Sequence, residues 1–221
     1  MKLLSVLVLS YFILACDADE SFTSIDMTDY FYQPGYIFEF KSASGYDDFY
    51  RYQNVTLNGY ALIEQTKYEN ASNVWYDATY SAVEPDGIYT YDDTTGALEL
   101  TIPTLENVQQ NLFNGLYVTV SHQDTPVPQL SDTPFAGCND LIHIAVHREY
   151  IDDYDGSSEV YGGDIYFARG IGRLYQEWRF TSSNNPYPYQ YDDGTEIQFD
   201  KLQIVKDMQT LLPVELSSPG C

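Results

Sequence analysis

The chain has 221 residues, of which 33 are acidic and 10 are lysine or arginine, so its formal net charge is −23 at pH 7. A surface this acidic repels phosphate backbones and anionic lipid headgroups, which argues against nucleic acid as a partner and against charge-driven membrane binding. A hydrophobic content of 44% is enough for a folded core. Because no linker rich in Pro, Gly and Ser divides the body, we expect one domain.

The chain starts with a short cationic stretch followed by an apolar run from Leu3 to Leu14. This run is shorter than the roughly 20 residues that span a bilayer, and it ends in a small residue, as a secretory signal peptide does. The ending Ile13-Leu14-Ala15-Cys16 resembles the lipobox of bacterial lipoproteins. That resemblance implies a signal peptide over 1–15, a lipid on the Cys16 sulfur, and a domain held on the bacterial cell envelope, facing the periplasm or the outside. The alternative is an ordinary cleaved signal peptide that contains a cysteine.

Residues 16–34 are acidic and lack a hydrophobic period, which predicts a tether, and the folded domain is predicted over 35–221. From Tyr36 onward, apolar and polar residues alternate with the period of β-strands. Turn signals such as Pro85-Asp86-Gly87 separate these short strands.

One stretch departs from the β pattern. Leu105, Val108 and Leu112 recur at helical spacing, and Thr104 is placed to cap a helix. We therefore expect one short helix near 104–114 beside about ten strands. This combination predicts a mainly β fold, built as one curled antiparallel sheet in the form of a barrel, a half-barrel or a sandwich.

Two cysteines remain if Cys16 carries a lipid, namely Cys138 and Cys221. In an exported chain, two such thiols are expected to form a disulfide. The bond would hold the C-terminus on the domain. No CxxC pair is present, and neither cysteine has a histidine beside it, which argues against a metal or catalytic role.

His143 and His147 have the spacing of two metal ligands on one face of a helix. The alternation of Ile142, Ile144 and Val146 with these residues indicates a strand instead. On a strand, residues four apart are separated by roughly 13 Å, too far to share one zinc ion. Both histidines are therefore expected on the solvent side of a strand.

An acidic loop offers a candidate calcium site, with four alternating oxygen-bearing residues: Asp153, Asp155, Ser157 and Glu159. Calcium takes several oxygen ligands from one flexible loop. The alternative is a solvated acidic turn, because Asp and Gly are common turn residues. No other cofactor is expected.

The stretch Tyr166-Phe167-Ala168-Arg169-Gly170-Ile171-Gly172-Arg173-Leu174-Tyr175-Gln176-Glu177 resembles a strand found late in many bacterial lipoproteins and secreted β-rich proteins. The resemblance covers a dozen residues and implies a curved antiparallel sheet, without a particular activity. Arg173 stands where that strand often carries an apolar or small polar residue. With no third glycine and no following helix, Gly170 and Gly172 indicate a bulge, or the close approach of an aromatic ring, rather than a nucleotide loop.

These observations favour a membrane-anchored, non-enzymatic protein with a binding or structural role. Its expected partner, besides the membrane, is an envelope protein or a small apolar ligand. The sequence contains no GxSxG, HExxH or P-loop motif. The alternative is a hydrolase that acts on polysaccharide or lipid through carboxylates, but with 33 acidic residues no particular pair stands out.

Overall fold

The fold is mainly β, as the sequence predicts. The computed structural model describes residues 23–43, 47–69, 75–112, 116–151, 158–183, 195–216 and 220–221. Its twelve strands are β1 Tyr36–Ser42, β2 Asp47–Leu57, β3 Tyr60–Glu69, β4 Trp75–Glu84, β5 Gly87–Asp92, β6 Ala97–Pro103, β7 Gln110–Asn111, β8 Leu116–Gln123, β9 Leu141–Ile151, β10 Ser158–Ala168, β11 Gly172–Ser183 and β12 Thr195–Asp207. Two single-turn 3-10 helices are described, Met27–Asp29 and Pro128–Leu130.

All twelve strands belong to one antiparallel sheet with the order β6-β5-β4-β3-β2-β1-β12-β11-β10-β9-β8-β7. The first and last strands pair with each other, so the two ends of the chain meet in the middle of the sheet. After β6 the chain crosses toward β8, where Glu106 pairs with Val120. The sheet is thereby curled into a nearly closed barrel, which confirms the expected curled architecture with two strands more than expected.

The expected helix near 104–114 is wrong for the described residues 104–112. Leu105 pairs with Ser24, Glu106 pairs with Val120, and Gln110–Asn111 forms β7 against β8. Asn107, with a φ of 57°, turns the chain between these pairs. Pairing with distant strands satisfies the backbone here, so the helical spacing of three apolar residues is overridden by tertiary contacts.

The predicted tether over 16–34 extends too far along the chain. Five residues between positions 25 and 32 are buried in the main core, namely Ile25, Met27, Tyr30, Phe31 and Tyr32. Backbone hydrogen bonds fasten the segment at both ends, from the Ile25 N–H to the Thr104 carbonyl and from the Gly170 N–H to the Asp29 carbonyl. The folded domain therefore includes residues 23–34, and residues 16–22 lie outside the described residues.

The predicted disulfide between Cys138 and Cys221 is present. Cys138 is 1% exposed and lies in the main core, at the end of the proline-rich loop between β8 and β9. The Asn139 N–H donates to the Gly220 carbonyl at 2.7 Å, so the C-terminus lies along the loop. The bridge joins the end of the chain to the wall formed by β8 and β9.

The glycine-rich turn between β10 and β11 confirms the expected bulge and aromatic contact. Gly170 and Gly172 have φ values of 73° and 109°. A Cβ at Gly172 would lie 2.8 Å from the Tyr32 ring, so only glycine allows this approach. Beside the turn, Arg169 stacks on the Tyr30 ring and binds Asp140 and Asp29. The turn therefore fastens the N-terminal segment onto the barrel.

Candidate functional site

The described pocket lies on the inner face of β2, β3 and β4 and has a volume of about 560 Å³. Ile63 and Val83 mark this face, because both pack against the main core. Asn54 pairs with Ile63, and Ile63 pairs with Ser81, so their side chains leave the sheet on the same side. The pocket has a volume in the range of small-molecule sites.

The pocket has a mixed lining. Six of its residues have side chains on the inner face, namely Asn54, Thr56, Ala61, Ile63, Ser81 and Val83, while Val55 and Leu62 border the pocket with their side chains on the outer face. Asn54, Thr56 and Ala61 are exposed, so the pocket opens to solvent. Hydroxyl and amide groups therefore lie beside aliphatic groups, which suits a ligand with polar and apolar parts. None of the lining residues is ionisable.

The outer face of the same strands carries a separate apolar cluster. Leu62, Ala82 and Tyr91 are buried in it, and Val55, Leu57, Tyr80, Tyr89 and Leu98 pack around them. The wall formed by β2 to β4 is therefore packed on both faces, through this cluster outside and through Ile63 and Val83 inside. The outer cluster stabilises the wall formed by β2 to β4, and part of the inner face of that wall lines the pocket.

Below the pocket, the inner residues of β2 lead to a group of buried tyrosines. Tyr50 and Tyr52 follow the same inward alternation as Asn54. Tyr52 stacks on Tyr32 with ring centroids 3.8 Å apart. Burial raises the pKa of both Tyr32 and Tyr52, so both phenols stay neutral.

Arg173 occupies the interior beside these tyrosines. Phe167 pairs with Arg173 and Tyr166 with Tyr175, so the bulge leaves Leu174 without a partner on β10. Because of this bulge, two consecutive side chains of β11 lie on the inner face, with Arg173 8% exposed and Leu174 0% exposed. In a regular strand only one of these two neighbours would point inward. The bulge lets both point inward, and it thereby places the Arg173 guanidinium in the interior.

The Arg173 guanidinium is held mainly by aromatic rings. Its Cζ lies 4.5 Å from the Phe40 ring centroid and 5.0 Å from that of Tyr50. Nη1 donates to Gln176 Oε1 at 2.6 Å. Nε and Nη2 are buried and have no hydrogen-bond partner in the described part of the chain. Burial acts to lower the pKa of Arg173. The surrounding tyrosines and Asp200 raise this pKa by more than burial lowers it, so the guanidinium stays charged.

One carboxylate, Asp200, lies near this arginine, and a second, Asp48, lies near Asp200. Burial raises the pKa of Asp200, and repulsion from Asp48 adds to this, while Arg173 opposes it. Asp48, 9% exposed, is paired with Lys67 at 3.2 Å. Among described residues, no carboxylate forms an ion pair with Arg173 within 4.0 Å. The interior therefore contains a cation whose charge is only partly matched.

His143 and His147 lie on strand β9, as the alternation predicts. His143 Nε2 donates a hydrogen bond to Asp164 Oδ1 at 2.8 Å, and its ring stacks on Tyr166. That hydrogen bond from His143 lowers the pKa of Asp164 more than burial raises it. His147 lies near Tyr117. The two histidines therefore contact different residues of the sheet and are not arranged to bind one metal ion together.

Several predicted site residues cannot be placed. Cys16 and the calcium candidates Asp153, Asp155 and Ser157 lie outside the described residues, and Glu159 is described only as part of β10. In the described ranges, no group of three or more His, Cys, Asp and Glu residues is arranged to hold a metal ion. Nor do those ranges include a helix long and apolar enough to cross a bilayer.

Comparisons with protein-family models, with curated proteins and with solved structures find no match to this chain. The functional assignment therefore depends on the pocket and on the interior cluster. Sequence reasoning did not find the pocket, because its residues come from three strands and read as ordinary alternation. It did mark Arg173 as unusual for its strand, and that was the available signal for the interior cluster.

Proposed function

We propose that this chain is a lipid-anchored protein of the bacterial cell envelope that binds a small amphipathic ligand without acting on it. The pocket on the inner face of β2 to β4 is the observation that carries the binding role. Its lining mixes aliphatic groups with amide and hydroxyl groups, which suits an amphipathic ligand better than a purely apolar one. The Cys138–Cys221 disulfide is in keeping with export to an oxidising compartment.

The anchor is tested at Cys16. Bacterial cells that express the full chain are fed an alkyne analogue of palmitate, and the purified protein is examined for label. We expect label on the wild-type chain and none on Cys16→Ser. Cys138→Ser serves as the control and is expected to keep the label. Equal labelling of wild type and Cys16→Ser would refute the anchor.

The binding role is tested by native mass spectrometry. A chain that begins at Asp17 retains every residue of the described fold and is exported to an oxidising compartment. We expect an additional mass that disappears on denaturation. Ala61→Trp places a large side chain at the mouth of the pocket and should abolish the additional mass. An additional mass that Ala61→Trp leaves unchanged would place the ligand elsewhere.

A hydrolase is the second candidate, and the raised pKa of the half-buried Asp200 is the observation that favours it. A carboxyl group of this kind can act as a general acid. Against it, the described pocket contains no carboxylate. If the chain hydrolyses polysaccharide or lipid esters, Asp200→Asn should reduce the rate at least a hundredfold. An unchanged rate would exclude Asp200 as the acid.

A further inference from the structure

Arg173 is a buried charge that the protein itself leaves incompletely paired. Its side chain makes one hydrogen bond, to Gln176, and two contacts with aromatic faces. Nε and Nη2 remain without partners in the described part of the chain. Leaving buried hydrogen-bond donors of a charged group unsatisfied is costly, and native proteins rarely do so without a reason.

The unsatisfied atoms define the chemistry of the missing partner. A guanidinium presents its N–H groups in a planar fork, and carboxylates and phosphates match that fork with two oxygens. Phe40 and Tyr50 flank the guanidinium, so a partner must approach in its plane. Asp200 is near enough to stabilise the charge of Arg173, but it forms no ion pair with the guanidinium within 4.0 Å in the described part of the chain. No described carboxylate therefore occupies the fork formed by Nε and Nη2.

The pocket and the guanidinium lie along the same strand. On the inner face of β2, Tyr50 contacts Arg173, Asn54 lines the pocket, and Tyr52 lies between them. Neighbouring inner residues of a strand are roughly 7 Å apart, so about 13 Å separates Tyr50 from Asn54. A ligand that reaches both places is elongated, and it displaces the Tyr52 ring from its stack on Tyr32.

We propose that the ligand is an elongated amphiphile with a carboxylate head group, and that Arg173 binds this carboxylate while the apolar chain occupies the pocket. This inference rests on the proposed binding function. It identifies the class of ligand and explains why the interior of an acidic protein retains a cation. Lys67, a partly exposed cation on the same face of the sheet, is paired with Asp48, whereas Arg173 has no carboxylate within 4.0 Å among the described residues.

The probe is cis-parinaric acid, a fluorescent fatty acid, compared with its methyl ester at pH 7.5. Both are titrated into the chain that begins at Asp17. We expect wild type to bind the acid at least tenfold more tightly than the ester, because only the acid presents an anion to Arg173. This comparison requires no mutation, so it decides the proposal even if a variant does not fold.

Arg173→Met removes the charge but keeps much of the side-chain volume. We expect the acid to bind at least tenfold more weakly and the ester to bind within twofold of wild type. Without ligand, its melting temperature should equal or exceed that of wild type, since replacing a poorly paired buried charge by an apolar group is often stabilising. Arg51→Met is the matched control, because Arg51 bonds Thr66 on the outer face of β2. It should leave both affinities unchanged.

The outcomes separate the two proposals. If wild type binds acid and ester equally, or Arg173→Met binds the acid as wild type does, the role of Arg173 is wrong while the pocket remains a binding site. If wild type binds neither probe, the binding function for this class of ligand is wrong as well. A lower melting temperature of Arg173→Met with unchanged acid binding would make Arg173 a structural residue.

Discussion

The two walls of the barrel use their inner faces differently. The wall built from β8 to β12 and β1 is filled, and there the N-terminal segment packs Phe31 on Phe167 and Tyr32 on Phe38. The same segment reaches the wall built from β2 to β4 as far as Tyr52, whose ring stacks on Tyr32. Beyond Tyr52 the inner residues Asn54 and Thr56 are exposed, and there the pocket opens. The same alternation of apolar and polar residues thus produces a packed core on one side and a binding surface on the other. What differs is whether another segment of the chain lies on the inner face.

The largest expected effect comes from opening the filled wall at the disulfide. Replacing Cys138 and Cys221 together by serine should lower the free energy of unfolding by about 4 to 5 kcal/mol, because the bridge closes a loop with a sequence separation of 83 residues. Urea unfolding of the double variant and wild type measures the difference. A loss below about 1 kcal/mol would show that the bridge contributes little to the filled wall.

One substitution compares the two walls directly. Ile144 is 0% exposed on the filled side, whereas Ile63 lines the pocket. Ile144→Ala should cost about 3 to 4 kcal/mol of unfolding free energy, because it leaves a cavity in a closed core. Ile63→Ala should cost about 1 kcal/mol, since the pocket already admits water. Equal costs in urea unfolding would contradict the distinction between a filled and an open wall.

A pair of glycine variants tests how the N-terminal segment closes the filled wall. Gly59 and Gly172 both have positive φ, but only at Gly172 would a Cβ meet another residue, the Tyr32 ring. Gly59→Ala should cost about 1 kcal/mol from backbone strain alone. Gly172→Ala should cost about 2 to 3 kcal/mol, because the clash adds to the strain. If thermal unfolding shows a larger cost for Gly59→Ala than for Gly172→Ala, the Tyr32 ring can move aside at little cost and the proposed clash is wrong.

The smallest expected effect concerns the outer face of the filled wall and depends on pH. The hydrogen bond from His143 lowers the pKa of Asp164 in the folded state, so this carboxylate stabilises the fold above its ordinary pKa of 3.8. That contribution is lost as the pH falls through the lowered pKa. Asp164→Asn should cost about 1 kcal/mol at pH 6, and the difference from wild type should shrink as the pH falls below 3.8. A difference that stays constant with pH would contradict this assignment.

Local signals in the sequence predicted most of the sheet. Alternation from Tyr36 onward, the turn at Pro85-Asp86-Gly87 and the Gly170 turn each depend on neighbouring residues, and each appears where expected. The disulfide was predicted from the number of cysteines and from the expected export of the chain. These features could be read because their physical causes are close together in the chain.

The features that could not be predicted depend on contacts between distant residues. Leu105 and Glu106 join Ser24 and Val120, partners that no local spacing reveals, so a helix was expected in their place. Tyr32 is buried because β10 and β11 present a glycine to it. The candidate site is of the same kind. Its pocket requires three strands in register, and the burial of Arg173 requires a bulge.

Methyl NMR on isoleucine-labelled protein tests the central claim that the open wall binds the ligand. The chain that begins at Asp17 is titrated with dodecanoate, and the signals of Ile63 and Ile144 are assigned with Ile63→Val and Ile144→Val. The account predicts that the Ile63 methyl shifts in a saturable manner while the Ile144 methyl stays in place. A saturable shift of Ile144 without one of Ile63, or no shift of either, would contradict it.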